Sequence, residues 1–487
     1  MKKIYISMFV LSAFFFTGCA DDFLDVDQTQ SISTDDIELF NSNDGAATFV
    51  TSIYSKFLDW DMSSFGWIGL ASITSDDADK GSDPGDTGTD KDVLDALTYN
   101  SSNPSAESTF TAQYDGINRC NQALNIIPKL DKADPALRQR LMGEAKFLRA
   151  FMYFTLVKCY GGVPIVDHLP NPSSVEDKNM LLTRKTAAET YAFIEQDLND
   201  AIAVLPLKSA YSDSEKARVS KGAAYALLAK VNLYQKNWQK VVDNCDLVTG
   251  YALAPDYAKM FRLEGENDIE SIFEINGVGS VPIKGISGYS NTQGVRGAGG
   301  WGWGFNTPSK SLVDAYEAGD VRKAATIIFR GTTLYDGRVI PLSPTDLNQG
   351  YNFKAYSSQF TDAWETDANI KYLRYGEVLL MKAEALNELG QTSEAIGLLN
   401  QIRHRAQLGD TPATTQAAVR TAIWKERRVE LAFEFDRFFD LVRTGQAESA
   451  FAADGKVFTV GKNELFPIPA IFISQANGLS QQNPGYN

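Results

Sequence analysis

Apolar side chains recur at helical spacing along most of this 487-residue chain. Tyr375, Leu379, Ala383 and Leu386, for example, fall on one face of a helix. Runs rich in Gly, Pro, Ser or Asp separate the periodic segments. The pattern predicts helices over residues 37–73, 109–128, 135–160, 186–205 and 220–248, another from near 311, and three between 370 and 441. The fold is therefore predicted to be helix-dominated, with strands and loops between residues 325 and 368.

Two of the predicted helix pairs have the same internal spacing. Ala229, Trp238, Val241 and Val248 lie at the same mutual offsets as Ala383, Thr392, Ala395 and Ile402. Small residues suit the close approach of helices in a tetratricopeptide hairpin, and Gly390 falls at the predicted turn. Ordinary antiparallel helix packing produces a similar pattern, so both interpretations stay open.

Two long segments are predicted to be loops. Residues 75–92 are dominated by Ser, Asp, Gly and Thr, while residues 276–310 contain ten glycines and almost no charge. Such composition suits backbone that wraps over a surface. Loops on a rigid scaffold are also usual positions for binding residues.

The first residues have the form of a secretion leader. Lys2 and Lys3 precede an apolar run at residues 4–16, followed by Thr17-Gly18-Cys19. The run is too short to span a bilayer stably, and the residues leading into Cys19 resemble the site cut by bacterial lipoprotein signal peptidase. We predict a signal peptide at 1–18, lipidation of Cys19, a tether at 19–33 and one domain at 34–487. An ordinary signal peptide with an incidental cysteine is the alternative.

Composition narrows the classes of partner. Without Lys2 and Lys3 the chain has 44 basic and 61 acidic residues, a net charge of about −17. Nucleic acid is therefore not expected to bind, because its phosphates would be repelled. The chain has two histidines, and Cys120, Cys159 and Cys245 are most simply small core residues. No zinc site, haem or other cofactor is predicted.

Four motifs in the C-terminal third resemble those of the SusD/RagB family. They are KYLRYGEVLLMKAEALNELG at 371–390, ERRVELAFEFDRFFDLVRTG at 426–445, LFPIPA at 465–470 and QNPGY at 482–486. Further similarity lies in EAKFLRAFMYFTLVKCYGGVP at 144–164 and in Gly300-Trp301-Gly302-Trp303. Phe435 stands where the family more often has a small residue.

The resemblance implies an all-α dominated, SusD-like fold with a few short strands. Tetratricopeptide-type helix pairs are expected near residues 109–160, 186–248 and 370–407, and a loop-rich ligand region near 60–92 and 276–310. It also implies a lipoprotein on the cell outer membrane that captures an oligosaccharide and delivers it to a SusC-like TonB-dependent transporter. A peptide or another nutrient is the alternative ligand.

Residues 426–443 alternate acidic and basic side chains, which predicts i,i+3 and i,i+4 ion pairs along one helix. We expect a solvated or partly buried charged face without catalytic function. Phe433, Phe438, Phe439 and Leu441 should pack on the opposite side.

Sugar binding needs flat aromatic faces with hydrogen-bonding groups beside them. The resemblance also implies that the two loops converge on the ligand site. The predicted ligand-binding residues are therefore Trp67, Asp76, Asp77, Tyr289, Arg296, Trp301 and Trp303, with Trp364 as a weaker candidate. Trp301 and Trp303 should point to opposite sides of an extended segment, so one of them is expected to be buried. For the aspartates, helix capping or loop solubility is the competing interpretation.

Two other hypotheses concern the aspartate-rich loop: calcium binding by the oxygens of Asp77, Asp79, Asp83 and Asp86, and catalysis. Counted from Asp77, Gly81 and Gly88 occupy the fifth and twelfth positions of an EF-hand, so that motif fails and only an irregular calcium site stays open. A surface glycosidase is the rival class of protein. Because Asp76 and Asp77 are adjacent, they cannot aim together at a scissile bond, and we predict a non-catalytic binder.

Overall fold

The computed structural model describes residues 34–86, 88–281, 284–358 and 365–486. Helices dominate these residues and the strands among them are short, which confirms the predicted fold class. None of the helices described is both long and apolar enough to span a bilayer. The predicted signal peptide, Cys19 and the tether lie outside the described residues.

The helices of the described residues, in chain order, are α1 (Thr34–Leu39), α2 (Asn43–Lys56), α3 (Trp60–Ser63), α4 (Phe65–Ile68), α5 (Thr89–Asp95), α6 (Pro104–Ile126), α7 (Pro135–Tyr160), α8 (Val175–Leu182), α9 (Ala187–Val204), α10 (Lys221–Tyr234), α11 (Trp238–Asp246), α12 (Tyr257–Met260), α13 (Tyr289–Gln293), α14 (Lys310–Ala315), α15 (Arg322–Thr326), α16 (Tyr375–Glu388), α17 (Thr392–Arg405), α18 (Gln416–Glu430), α19 (Arg437–Thr444), α20 (Ala447–Ala453) and α21 (Ala470–Ala476).

The strands of the same residues are β1 (Ala78–Gly81), β2 (Ser271–Ile275), β3 (Ile286–Ser287), β4 (Phe305–Pro308), β5 (Ile327–Phe329), β6 (Thr332–Thr333), β7 (Val339–Ile340), β8 (Gly350–Asn352), β9 (Glu365–Thr366) and β10 (Ile370–Arg374). They form antiparallel pairs, β1 with β4, β2 with β10, β3 with β9, β5 with β8 and β6 with β7. These pairs join loops to one another and to the helices.

The long helices pack on one another nearly in chain order. α6 packs on α7, α7 on α9, α9 on α10 and α10 on α11, and α11 packs on α16, which packs on α17 and α18. Helix α6 begins at Pro104, earlier than predicted, because the side chain of Asn103 accepts hydrogen bonds from the first amides of the helix (3.1 and 3.2 Å). Pro104 also suits the first helical turn.

The predicted helical segment at residues 37–73 is interrupted. Ser64 has φ −115° and ψ −122°, outside the helical region, so the helix is interrupted between α3 and α4. A π-helical turn at Gly69–Ile73 follows α4. The break changes which side chains share a face, and it shapes the candidate site described below.

The two helix pairs with equal spacing end their first helices in the same way. In each pair, an amide just after the first helix donates a hydrogen bond to the carbonyl five residues earlier. The bonds run from Asn237 to Asn232 (3.0 Å) and from Gln391 to Leu386 (2.8 Å). The preceding residues, Lys236 and Gly390, have left-handed φ values of 60° and 82°. This geometry is a Schellman-type helix end, where glycine is favoured. The two pairs therefore share this helix end as well as their spacing, and the internal repeat stays a prediction.

The charged segment at residues 426–445 is not a single helix, contrary to prediction. α18 ends at Glu430, and α19 begins at Arg437. In the turn between them Phe433 and Phe435 have left-handed φ values of 64° and 71°, which are rare for bulky residues. A small residue such as glycine would adopt this backbone with less strain at position 435.

The charges of α18 are buried and pair across the fold. Arg322 lies 2.6 Å from Glu426 and 3.0 Å from Glu430, and Arg374 lies 2.5 Å from Glu430. Burial raises the pKa of Glu430, but the charges of Arg405, Arg374 and Arg322 outweigh it and hold this pKa well below its ordinary value. The expectation that these charges form a solvated or partly buried face along one helix is therefore wrong. These charges form a buried network that joins α15, β10, α17 and α18.

Gly390→Ala is expected to lower the free energy of unfolding by about 1 kcal/mol, because a side chain is strained at this left-handed φ. A Cβ added at Gly390 would meet no other atom of the described residues within 4 Å, so the change tests the backbone conformation alone. The converse Lys236→Gly change is expected to raise stability by about 0.5 kcal/mol. Urea titration followed by circular dichroism measures both, and effects of the same sign would contradict the shared geometry.

Candidate ligand-binding site

The two loops predicted to form the ligand region meet in space. β1 from the early polar loop pairs with β4 from the glycine-rich segment, with Ala78 opposite Pro308. Beyond the strands, the amide of Ser82 donates to the carbonyl of Gly304 (2.6 Å). The two loops are therefore joined through their backbones.

Three half-buried aromatic rings lie near this junction: Trp60 from α3, Phe65 from α4 and Trp303 from the glycine-rich segment. We call them the aromatic face. The ring centre of Trp60 is 5.8 Å from that of Trp303 and 5.4 Å from that of Phe65, and Phe65 meets Trp303 edge to face at 6.3 Å. The buried ring of Phe305 packs against Phe65 at 4.9 Å. Such contacts hold the rings in fixed orientations.

The position of Trp60 depends on a glycine. Gly288 has a φ of 67°, and a Cβ there would lie 2.1 Å from the ring of Trp60. The hydroxyl of Ser64 donates to the carbonyl of Ser287 (2.5 Å), and the amide of Ser287 donates to the carbonyl of Leu58 (3.0 Å). These bonds hold α3 and α4 against the backbone that precedes Gly288.

Arg296 connects the loops at the edge of the aromatic face. Its guanidinium lies 2.6 Å from Asp83 and 2.5 Å from Asp86. It also donates to the hydroxyl of Ser82 (3.1 Å) and to the carbonyl of Trp303 (3.3 Å). Charge-assisted hydrogen bonds of this kind are short and directional, so one side chain positions both loops.

A polar cleft adjoins the aromatic face. Asp61, next to Trp60 in α3, contributes to its lining, as does the beginning of α6. The cleft has a volume of about 310 Å³, at the lower end of the range for ligand pockets. Its lining residues are Lys56, Asp61, Ser102, Pro104, Glu107, Ser108, Thr111, Ala112 and Asp115. Carboxylates and hydroxyls of this kind can hydrogen-bond to the hydroxyls of a sugar.

Two protein-family models match the chain. One, described as "SusD family", matches residues 270–486, and the other, described as "Starch-binding associating with outer membrane", matches residues 22–233. Together they cover most of the sequence. The chain belongs to the SusD/RagB family.

Similar proteins span nearly the whole of this SusD/RagB-family chain. SusD-like protein P2 from Formosa agariphila is 28% identical over 449 residues, which are 85% of this chain and 87% of its own. Among solved structures, a laminarin binding SusD-like protein is 28% identical, with a TM-score of 0.76 over 91% of this chain and 99% of its own. Surface glycan-binding protein A from Bacteroides fluxus is 26% identical, with a TM-score of 0.75 over the same shares. The described residues therefore have a SusD-like fold.

Asp76 and Asp77 lie in the interior of this SusD/RagB-family protein, at 2% and 1% exposure. Asp76 accepts two hydrogen bonds from Arg437 (2.7 and 2.8 Å), and Asp77 accepts one from Arg428 (2.6 Å). Burial raises the pKa of Asp77, whereas at Asp76 burial is outweighed by the hydrogen bonds and charge of Arg437, which lower the pKa. Their predicted role as ligand contacts is corrected, because they anchor the start of β1 to α18 and α19.

Trp67 and Tyr289 are core residues, each 4% exposed. Trp67 stacks on Phe439 at 6.2 Å and packs against Phe435 at 5.8 Å, and Tyr289 also contacts Phe435. Their predicted role is corrected as well, since a ligand at the surface does not reach these rings. Trp364 lies outside the described residues.

The side chains of Trp301 and Trp303 lie in different places, as expected for two positions in an extended segment. Trp303 belongs to the aromatic face, whereas Trp301 packs against Tyr356 (4.6 Å) with the guanidinium of Arg338 over its ring (4.9 Å). Both are half-buried, so the expectation that one is buried is wrong. Of the predicted ligand residues, the structure brings Arg296 and Trp303 together and places Trp301 in a different aromatic group.

Among the described residues, three of the four aspartates considered for calcium pair with arginines, and Asp79 does not. Asp77 pairs with Arg428, and Asp83 and Asp86 pair with Arg296. In the described ranges, no group of three or more His, Cys, Asp or Glu side chains is arranged to hold a metal ion. The hypothesis of an irregular calcium site gains no geometric support from these residues.

Sequence reasoning missed Phe65 and Asp61 and left Trp60 out of the site. Trp60 and Trp67 are seven residues apart, a spacing that places both on one side of a continuous helix. The break at Ser64 separates them, so Trp60 joins the aromatic face and Trp67 joins the core. The acidic residues that flank Trp60 were the available signal that this tryptophan lies near the surface.

Asp76→Asn is expected to lower the free energy of unfolding by about 3 kcal/mol, because it removes the carboxylate that hydrogen-bonds to the largely buried guanidinium of Arg437 and leaves only the more distant Asp77 (3.8 Å). Asp83→Asn removes the same charge from a half-exposed pair and is expected to cost less than about 1 kcal/mol. Urea unfolding of both variants measures the difference. Equal losses would contradict the structural role assigned to Asp76.

Proposed function

We propose that this chain is a cell-surface lipoprotein that binds an oligosaccharide on the aromatic face without cleaving it. It then delivers the oligosaccharide to a SusC-like TonB-dependent transporter in the outer membrane. The aromatic face carries the proposal, because its rings suit the C–H-rich side of a pyranose. Asp61, Asp83 and Arg296 at its edge supply the polar groups that orient a sugar.

The comparisons support a glycan as the ligand. One structural relative is named as laminarin binding and another as a surface glycan-binding protein, and each aligns with 91% of this chain. The family model over residues 22–233 is described as associating with the outer membrane. Lipidation of Cys19 would hold the protein at that membrane, provided that more than one acyl chain is attached.

The absence of cleavage in the proposal is supported by the environment of the acidic pair. A glycosidase needs two carboxyl groups that flank the scissile bond. Asp76 and Asp77 instead point to Arg437 and Arg428 in the interior. The hypothesis of a glycosidase built on this pair therefore has no geometric support.

Binding is tested with the soluble protein begun after Cys19, screened against an array of plant, host and microbial glycans. Isothermal titration of each hit, with measurement of new reducing ends, separates capture from cleavage. Saturable binding with a constant reducing-end signal is expected. New reducing ends would overturn the non-catalytic proposal, and binding of peptides in place of glycans would favour the alternative nutrient.

Trp303→Ala and Trp60→Ala are each expected to weaken binding of the array hit about fivefold, because a stacking ring contributes on the order of 1 kcal/mol. Trp301→Ala is the matched control, since it removes the same side chain from the same segment but from a different aromatic group. Its binding constant is expected to change less than twofold. Equal losses in all three variants by titration would place the ligand elsewhere.

Anchoring and partnership are tested in cells. Cys19→Ala is expected to release the protein from the membrane fraction, because the acyl chains are attached to that cysteine. Purification of the tagged wild-type protein from outer membranes is expected to recover a TonB-dependent barrel. Recovery of the protein alone, under conditions that preserve outer-membrane complexes, would contradict the proposed delivery step.

A further inference from the structure

The basic side chains at the proposed site are already neutralised. Lys91 lies over the ring of Phe65, with its ammonium 3.6 Å from the ring centre, and Lys56 lines the polar cleft. Each of these lysines forms a salt bridge: Lys91 with Asp90 (2.7 Å), and Lys56 with Asp59 (3.1 Å) and Asp115 (3.2 Å). Arg296 in turn pairs with Asp83 (2.6 Å) and Asp86 (2.5 Å). An anionic ligand would have to compete with these carboxylates.

Acidic groups remain in excess around the aromatic face. Asp83 and Asp86 share the single guanidinium of Arg296, and Asp59 and Asp115 share the ammonium of Lys56. The cleft is lined by Asp61, Glu107 and Asp115 together with the single cation Lys56. Within the part of the chain that the structure describes, neither Asp61 nor Glu107 forms a salt bridge. The local field is therefore negative, in the same sense as the net charge of the whole chain.

We propose that this site selects uncharged glycans and rejects those that carry carboxylate or sulfate groups. The inference rests on the proposed function and names its substrate class. A carboxylate accepts hydrogen bonds from the hydroxyls of a neutral sugar. The same carboxylate repels an anionic substituent, and such repulsion is an effective source of specificity.

The test uses pairs of polymers that share a backbone. Laminarin, starch, xylan and mannan are each compared with their carboxymethylated derivatives by isothermal titration in 0.1 M and 1 M NaCl. At least one neutral polymer is expected to bind at least about tenfold more tightly than its derivative at low salt. The ratio is expected to shrink at 1 M NaCl, because the screening length falls from about 10 Å to about 3 Å.

The outcomes separate the two proposals. Equal or tighter binding of a carboxymethylated polymer at low salt would overturn the selectivity and leave the binding function in place. If no polymer of either kind binds, and the glycan array is also silent, the proposed function fails and the selectivity with it.

Variants locate the repulsion. Asp61→Asn removes an exposed charge beside Trp60, and Asp83→Asn removes one carboxylate from Arg296. Each is expected to lower the neutral-to-anionic affinity ratio at least threefold. Asp213→Asn removes the same charge in the exposed 3₁₀ turn at Asp213–Glu215 and is the matched control, with an unchanged ratio. If Asp61→Asn and Asp83→Asn retain the wild-type circular dichroism spectrum and the wild-type ratio, the proposal is overturned.

Discussion

The buried pairing of Glu430 with arginines from three other segments is the interaction on which the rest of the structure depends. An ionised carboxylate in the interior is stable only when opposite charges surround it. Its partners Arg322, Arg374 and Arg405 come from α15, β10 and α17. Because each of these charges would be costly in the interior without its partners, the network fixes the position of the irregular middle of the chain against the C-terminal helices.

The same principle extends from the helices to the candidate site. Arg428 in α18 and Arg437 in α19 hold Asp77 and Asp76 at the start of β1. β1 in turn pairs with β4, which follows Trp303 in the chain. The loops that carry the aromatic face are therefore tied to rigid helices through a continuous series of ion pairs and backbone bonds. A rigid face of this kind loses little conformational entropy when a flexible sugar chain binds.

Close packing decides which aromatic residues face the surface. The ring of Trp60 lies against the backbone at Gly288, where a side chain would not fit. Trp67, only seven residues later, stacks on Phe439 in the core. Similar aromatic residues in the same short stretch therefore have different roles, and the polar groups around the half-buried rings of the aromatic face set the charge that a ligand meets.

The sequence alone determined the helical architecture, because helix periodicity and capping are local properties of the chain. The motifs of the last third established the family, and the leader predicted the anchor at Cys19. The convergence of the two loops was foreseen only through the family resemblance. Tertiary structure decided the break at Ser64 and the partner of each charge in the segment containing Glu430. Those outcomes depend on contacts between residues far apart in the chain, where burial converts an apparent surface charge pattern into an internal network, and no local spacing encodes them.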